Sequence, residues 1–172
     1  MLHGTRSVGV LSLTQNPLNS LMWSHYADEH RGLCIGFRFS PTITEYNEMN
    51  RIIGTSECHY CRKNPFLDFF LEFVQSEDLM PWSDFWLSIF SLGMISKAEP
   101  WRHENEVRIL RKDPGFVPFQ PHDLSEIIFG MRTDDRARKT IKNILSGVNW
   151  SHVKYRQVAS DQGAFGLVLV DV

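Results

Sequence analysis

Apolar and small residues alternate over 7–13, a period-two pattern that predicts a strand. Asn16-Pro17 breaks it, and Asn19 stands where a helix N-cap belongs. A short helix is expected over 20–29, stopping near Gly32, and the apolar run 33–39 predicts a second strand before the Ser40-Pro41 turn. A short helix is expected over 42–50 and a strand over 57–62. The period then changes. Phe66, Phe69, Phe70 and Phe73 recur at helical spacing within 65–77, and Trp82, Phe85, Trp86, Ile89 and Phe90 do so within a helix reaching about Lys97. Pro81 suits its first turn. This second stripe is expected to pack into the core.

Further strands are expected from Glu104 onward, at 127–129, 153–158 and 165–170, with a helix over 134–145. Strands and helices mix without a steady βαβ beat. The expected class is therefore α+β, with a mixed or mainly antiparallel sheet and helices packed against it, in one domain spanning 1–172.

Composition narrows the function classes. A chain of 172 residues can bury a sizeable core, and 42% hydrophobic content is that of an ordinary globular protein. A net charge of -2 gives no reason to expect nucleic acid or an anionic membrane as partner. The most apolar stretch, 85–95, is too short and too interrupted to span a bilayer. Three cysteines without a disulfide framework suit a reducing, cytoplasmic compartment.

The chemistry-bearing pattern is Trp101-Arg-His-Glu-Asn-Glu-Val-Arg108. On a strand, Glu104, Glu106 and Arg108 would share one face. Two close carboxylates need a cation between them or a shared proton, and Arg108 and Lys97 are at hand. Two readings stand side by side: a closed ion-pair network, or an open polar pocket. The segment Trp23-Ser-His-Tyr26 adds aromatic and ionisable groups, and on a helix His25 would lie one turn from Glu29, a His–Glu pair suited to general-base work. Cys58-x-x-Cys61 has half the spacing of a zinc site without a second half, so no metal is expected. Arg132, in the turn before the 134–145 helix, could meet an anion.

Leu21-Met-Trp-Ser-His-Tyr-Ala27, His30-Arg-Gly32, the Cys34-Ile-Gly-Phe37 strand, Lys97 with Trp101 to Arg108, and Ile127 to Arg132 together resemble a bacterial family, domain of unknown function 2971. The resemblance runs from about Gly9 to Val158. Members of that family carry a further N-terminal region that this sequence lacks, which leaves a natural short form, a fragment and a form completed by self-association as open readings. A second analogy is to ADP-ribosyltransferases, to which Glu-x-Glu with an upstream His and Tyr, and His-Gly-Thr at residues 3–5, is similar. It implies NAD or another nucleotide as ligand. On that reading Glu106, Glu104 and His25 are the catalytic candidates, and Trp23, Tyr26, Lys97, Trp101, Arg108 and Arg132 the ligand-binding ones. The alternative is a non-catalytic binding or regulatory module, with bacterial defence or mobile elements as its setting. An enzyme requires Glu104, Glu106 and His25 around one open cleft, whereas a structural network is closed and fully paired.

Overall fold

A computed structural model of the chain describes residues 8–39, 51–76 and 80–172. The helix expected over 42–50 and the His-Gly-Thr segment lie outside the described residues. In chain order the elements are β1 (Gly9–Thr14), α1 (Ser20–Tyr26), β2 (Leu33–Phe37), β3 (Ile52–Glu57), β4 (His59–Cys61), α2 (Pro65–Gln75), α3 (Trp82–Ile95), β5 (Ser96–Ala98), β6 (Glu106–Arg111), β7 (Leu124–Phe129), α4 (Asp135–Ile144), β8 (Lys154–Ser160) and β9 (Leu167–Asp171). The class is α+β, with mixed and antiparallel sheets.

The larger sheet has the order β2-β7-β8-β9, with β7 and β8 parallel and the outer pairs antiparallel. Its central strand β7 is covered on both faces, which its unbroken apolar run Ile127-Ile-Phe129 anticipates. Ile128 joins Trp23, Ala27 and Val158 under α1. Ile127 and Phe129 point the other way, among Val153 and the Ile141 side of α4. Asn19 caps α1 by accepting from the Leu21 N–H at 2.9 Å, and Asp134 caps α4 through the Ala137 N–H at 2.7 Å.

The helix expected over 20–29 ends at Tyr26. Asp28, Glu29 and His30 take φ values of 46°, 50° and 68°. This left-handed run turns the chain so that the His30 and Gly32 carbonyls accept from Arg132 and Gly130. Gly130 fills this junction because a Cβ there would lie 2.0 Å from the His30 oxygen. The early stop also undoes the expected His25–Glu29 pair, since Glu29 meets Arg31 at 3.1 Å instead.

The smaller sheet has the order β1-β6-β3, antiparallel throughout. β3 was not anticipated, because Gly54, Thr55 and Ser56 dilute its apolar pattern, and the strand expected over 57–62 is the shorter β4, which runs parallel to β5. α2 and α3 pack on each other around Phe85, whose ring centroid lies 4.7 Å from that of Phe73 and 5.5 Å from that of Phe69. The stripe expected to enter the core does so only at Phe85, which is 6% exposed, while Trp82 and Trp86 remain 69% and 63% exposed. Phe85 packs against the neighbouring helix rather than the sheets, and the rest of the stripe stays partly or largely exposed.

Candidate functional site

Glu104 is not on a strand. It closes a 3₁₀ turn, Glu99–Glu104, that Pro100 helps to start, and Asn105 follows with φ 46°. Asn tolerates this left-handed geometry better than most residues. The kink lets β6 begin at Glu106, with Glu104 brought back beside it rather than placed two residues along one strand face. Thr14 on β1 fixes the turn by donating its hydroxyl to the Glu104 carbonyl at 2.7 Å. The Tyr60 hydroxyl, from β4, accepts the Glu106 N–H at 2.8 Å.

Lys97 enters from β5 and lies between the carboxylates, bonded to Glu104 Oε2 and 2.7 Å from Glu106 Oε2. Arg108, two residues along β6 from Glu106, donates from Nε to Glu106 Oε1 at 2.8 Å and from Nη2 to Oε2 at 3.3 Å. Its Nη1 reaches the Met94 carbonyl at 2.5 Å, satisfying a C-terminal acceptor of α3. The Tyr26 hydroxyl donates to Glu104 Oε1 at 2.8 Å. All four carboxylate oxygens are therefore engaged, and the two acids balance the two cations in charge.

Burial makes this pairing matter. Glu104 and Glu106 are 3% and 6% exposed. Burial alone would raise the Glu106 carboxyl, yet hydrogen bonds from Arg108, Lys97 and Ser12 outweigh it and hold the group at about 2. Desolvation opposes the charge on Lys97, but the bonds to Glu104 and Glu106 win and its ammonium is held above the usual range. The bond to Glu104 pushes the Tyr26 phenol up. Behind the network, burial raises the Cys58 thiol.

The candidate residues divide around this centre. Tyr26, Lys97, Glu104, Glu106 and Arg108 form one connected network. Trp101 borders it, with the Lys97 ammonium 5.4 Å from its ring centroid. His25 stands outside, exposed, in edge contact with the Tyr26 ring. Trp23 belongs to the core, stacked on His30 and donating from Nε1 to the Pro17 carbonyl at 2.7 Å. Arg132 lies by the α1–β2 turn, 3.8 Å from Glu29. Sequence reasoning overlooked Tyr60, Ser12 and Thr14, whose contribution depends on strand register and carries no local signal.

Larger concavities lie elsewhere. One of about 850 Å³ runs between the start of α1 and the β8–β9 turn, and an apolar one of about 600 Å³ lies among β1, Phe37 and the 113–120 loop. Lys97 borders a smaller hollow of about 310 Å³ with Arg62 and Lys63. Among the described residues no group of three or more His, Cys, Asp or Glu side chains is placed to hold a metal ion, and no helix is long and apolar enough to cross a membrane.

No curated protein and no solved structure matches the chain. The family model described as "Protein of unknown function (DUF2971)" matches residues 22–109, just over half of the sequence. That stretch runs from α1 into β6 and contains the whole Tyr26–Lys97–Glu104–Glu106–Arg108 network, so the part of the chain that builds the buried charge cluster is the part by which it belongs to the DUF2971 family.

Proposed function

We propose that the chain is a single-domain, non-catalytic binding or regulatory module, and that the Lys97–Glu104–Glu106–Arg108 network is its structural polar core. One observation carries this reading: both carboxylates are buried, and every oxygen on them has a partner. A carboxylate held at about 2 by two cations is a weak proton acceptor near neutral pH. A ligand would have to displace partners already in place, and the two acids already balance the two cations in charge. The three free cysteines and the family resemblance go with a bacterial, cytoplasmic setting.

A nucleotide- or NAD-handling enzyme is the second reading. It is favoured by the aromatic rim, where Tyr26 and Trp101, 64% and 42% exposed, flank the Glu104–Lys97 pair and offer faces for stacking. Isothermal titration with NAD, ADP-ribose and common nucleotides separates the two. The module reading expects no heat of binding, together with a large fall in stability for Glu106→Gln. Saturable NAD binding by the parent, lost in a Glu106→Gln variant whose melting curve is unchanged, would establish the enzyme reading instead.

A further inference from the structure

The α2–α3 hairpin presents an apolar face that nothing among the described residues covers. Leu67, Leu71 and Val74 on α2 are 62%, 59% and 79% exposed, and Trp82, Trp86 and Phe90 on α3 are 69%, 63% and 37% exposed. From side chains of this size the six expose on the order of 700 Å². The largest apolar patch on a monomer is roughly 300–600 Å². One partner in a standard stable interface contributes about 800 Å².

The six residues lie on one side of the hairpin. The helices run antiparallel: Phe73 lies against Phe85 and Trp82 at one end, while a Cβ at Gly93 would lie 3.5 Å from the Phe66 ring at the other. At about 100° per residue, the Leu67–Leu71–Val74 stripe is rotated roughly 105–165° from the inward Phe66–Phe69–Phe73 seam. On α3, Trp82–Trp86–Phe90 is rotated roughly 55–135°, in the same sense, from Phe85, Ile89 and Leu92. Rotations of the same sense on antiparallel helices bring both stripes to the same side. Asp68, Glu72 and Asp84 rotate the opposite way, onto the far side. There Asp68 and Glu72 border a hollow shared with His59, Arg62 and Lys63.

We infer that this face pairs with the same face of a second copy, joining two hairpins into a four-helix bundle across a two-fold axis. An apolar two-helix surface is self-complementary in this arrangement, because ridges of one hairpin fill grooves of the other. The acids face away, so no like charges meet at the centre. The uncharged face offers nothing to select a basic or acidic partner, and it lacks the Lys and Arg that hold a helix on an anionic bilayer. The pairing goes beyond the reading of the polar network and does not depend on it.

Sedimentation velocity of the full chain across two decades of concentration tests the pairing. The expected result is a two-chain particle that a double Leu71→Glu, Trp86→Glu variant converts to one chain with unchanged far-ultraviolet dichroism. A single-chain particle at every concentration would overturn the inference, as would a double variant that still pairs. Should that variant fail to fold, dilution of the native chain decides: tryptophan emission should move to the red as Trp82 and Trp86 become exposed, and emission that ignores dilution counts against pairing. Native chain that floats with phosphatidylcholine vesicles instead of pairing assigns the face to lipid and equally overturns the inference.

Discussion

At the start of β6 this protein buries two carboxylates against two part-exposed cations, and in the adjoining α2–α3 hairpin it leaves indole rings in water. The two regions touch: Arg108, which pairs with Glu106, also holds the Met94 carbonyl at the end of α3. Their difference shows what each kind of group requires. A buried charge is tolerated once each oxygen and each N–H has a partner, and such partners come from within one chain. An apolar face has no local remedy, because only area removed from water satisfies it, and that area must come from another surface.

The sharpest way to break this comparison is Lys97→Met. It removes the cation shared by Glu104 and Glu106, and breaking a buried pair costs roughly 3–5 kcal/mol. Urea denaturation should show that loss; a change below about 1 kcal/mol, the range of exposed ion pairs, would mean the network is solvated. Within the hairpin, Phe85→Ala should cost about 3 kcal/mol, since its buried ring is the hub of the helix pair. A much smaller value in calorimetry would mean that α2 and α3 are held by their outer face alone.

Acid sharpens the polar side. The Glu106 carboxyl lies at about 2 in the folded chain against an ordinary value of 4.5. The folded state thus favours the deprotonated form, and that stability is complete above about 4.5 and is lost as pH falls through 2. The loss amounts to about 3 kcal/mol. Denaturation midpoints measured down this range should fall more steeply in the parent than in Glu106→Gln. The smallest expected effect is Tyr26→Phe. It removes one bond to Glu104 at the exposed edge of the network, and a hydrogen bond to a charged group is worth about 1.5 kcal/mol. Thermal melts of the two proteins would show it, and an unaltered melt would mean that water replaces the hydroxyl without cost.

Much of the frame was legible. Asn19 marks a helix start because capping chemistry is local, and the run Ile127-Ile-Phe129 announces a strand. The charged site was half legible. Lys97, Glu104, Glu106 and Arg108 were singled out together, but on a strand that Glu104 does not occupy. The Asn105 kink and the Pro100 turn were the available signals, and alternation was read straight through them. His25 was grouped with the carboxylates through the ADP-ribosyltransferase analogy, while its expected partner Glu29 was lost because the left-handed run Asp28–His30 ends the helix at Tyr26.

Local physics accounts for what the chain determined by itself: the caps, the strand and helix periods, and the presence of balancing charges within a dozen residues of each other. Register and packing belong to the tertiary structure. Ser12 and Tyr26 reach the carboxylates, and Tyr60 the Glu106 N–H, only because β1, α1 and β4 are brought beside β6 from distant parts of the chain. Whether an apolar stripe is buried is decided in the same way. Periodicity shows that a helix has a face to hide, but what lies opposite that face depends on contacts no local pattern encodes, and Trp82 and Trp86 stay mostly exposed.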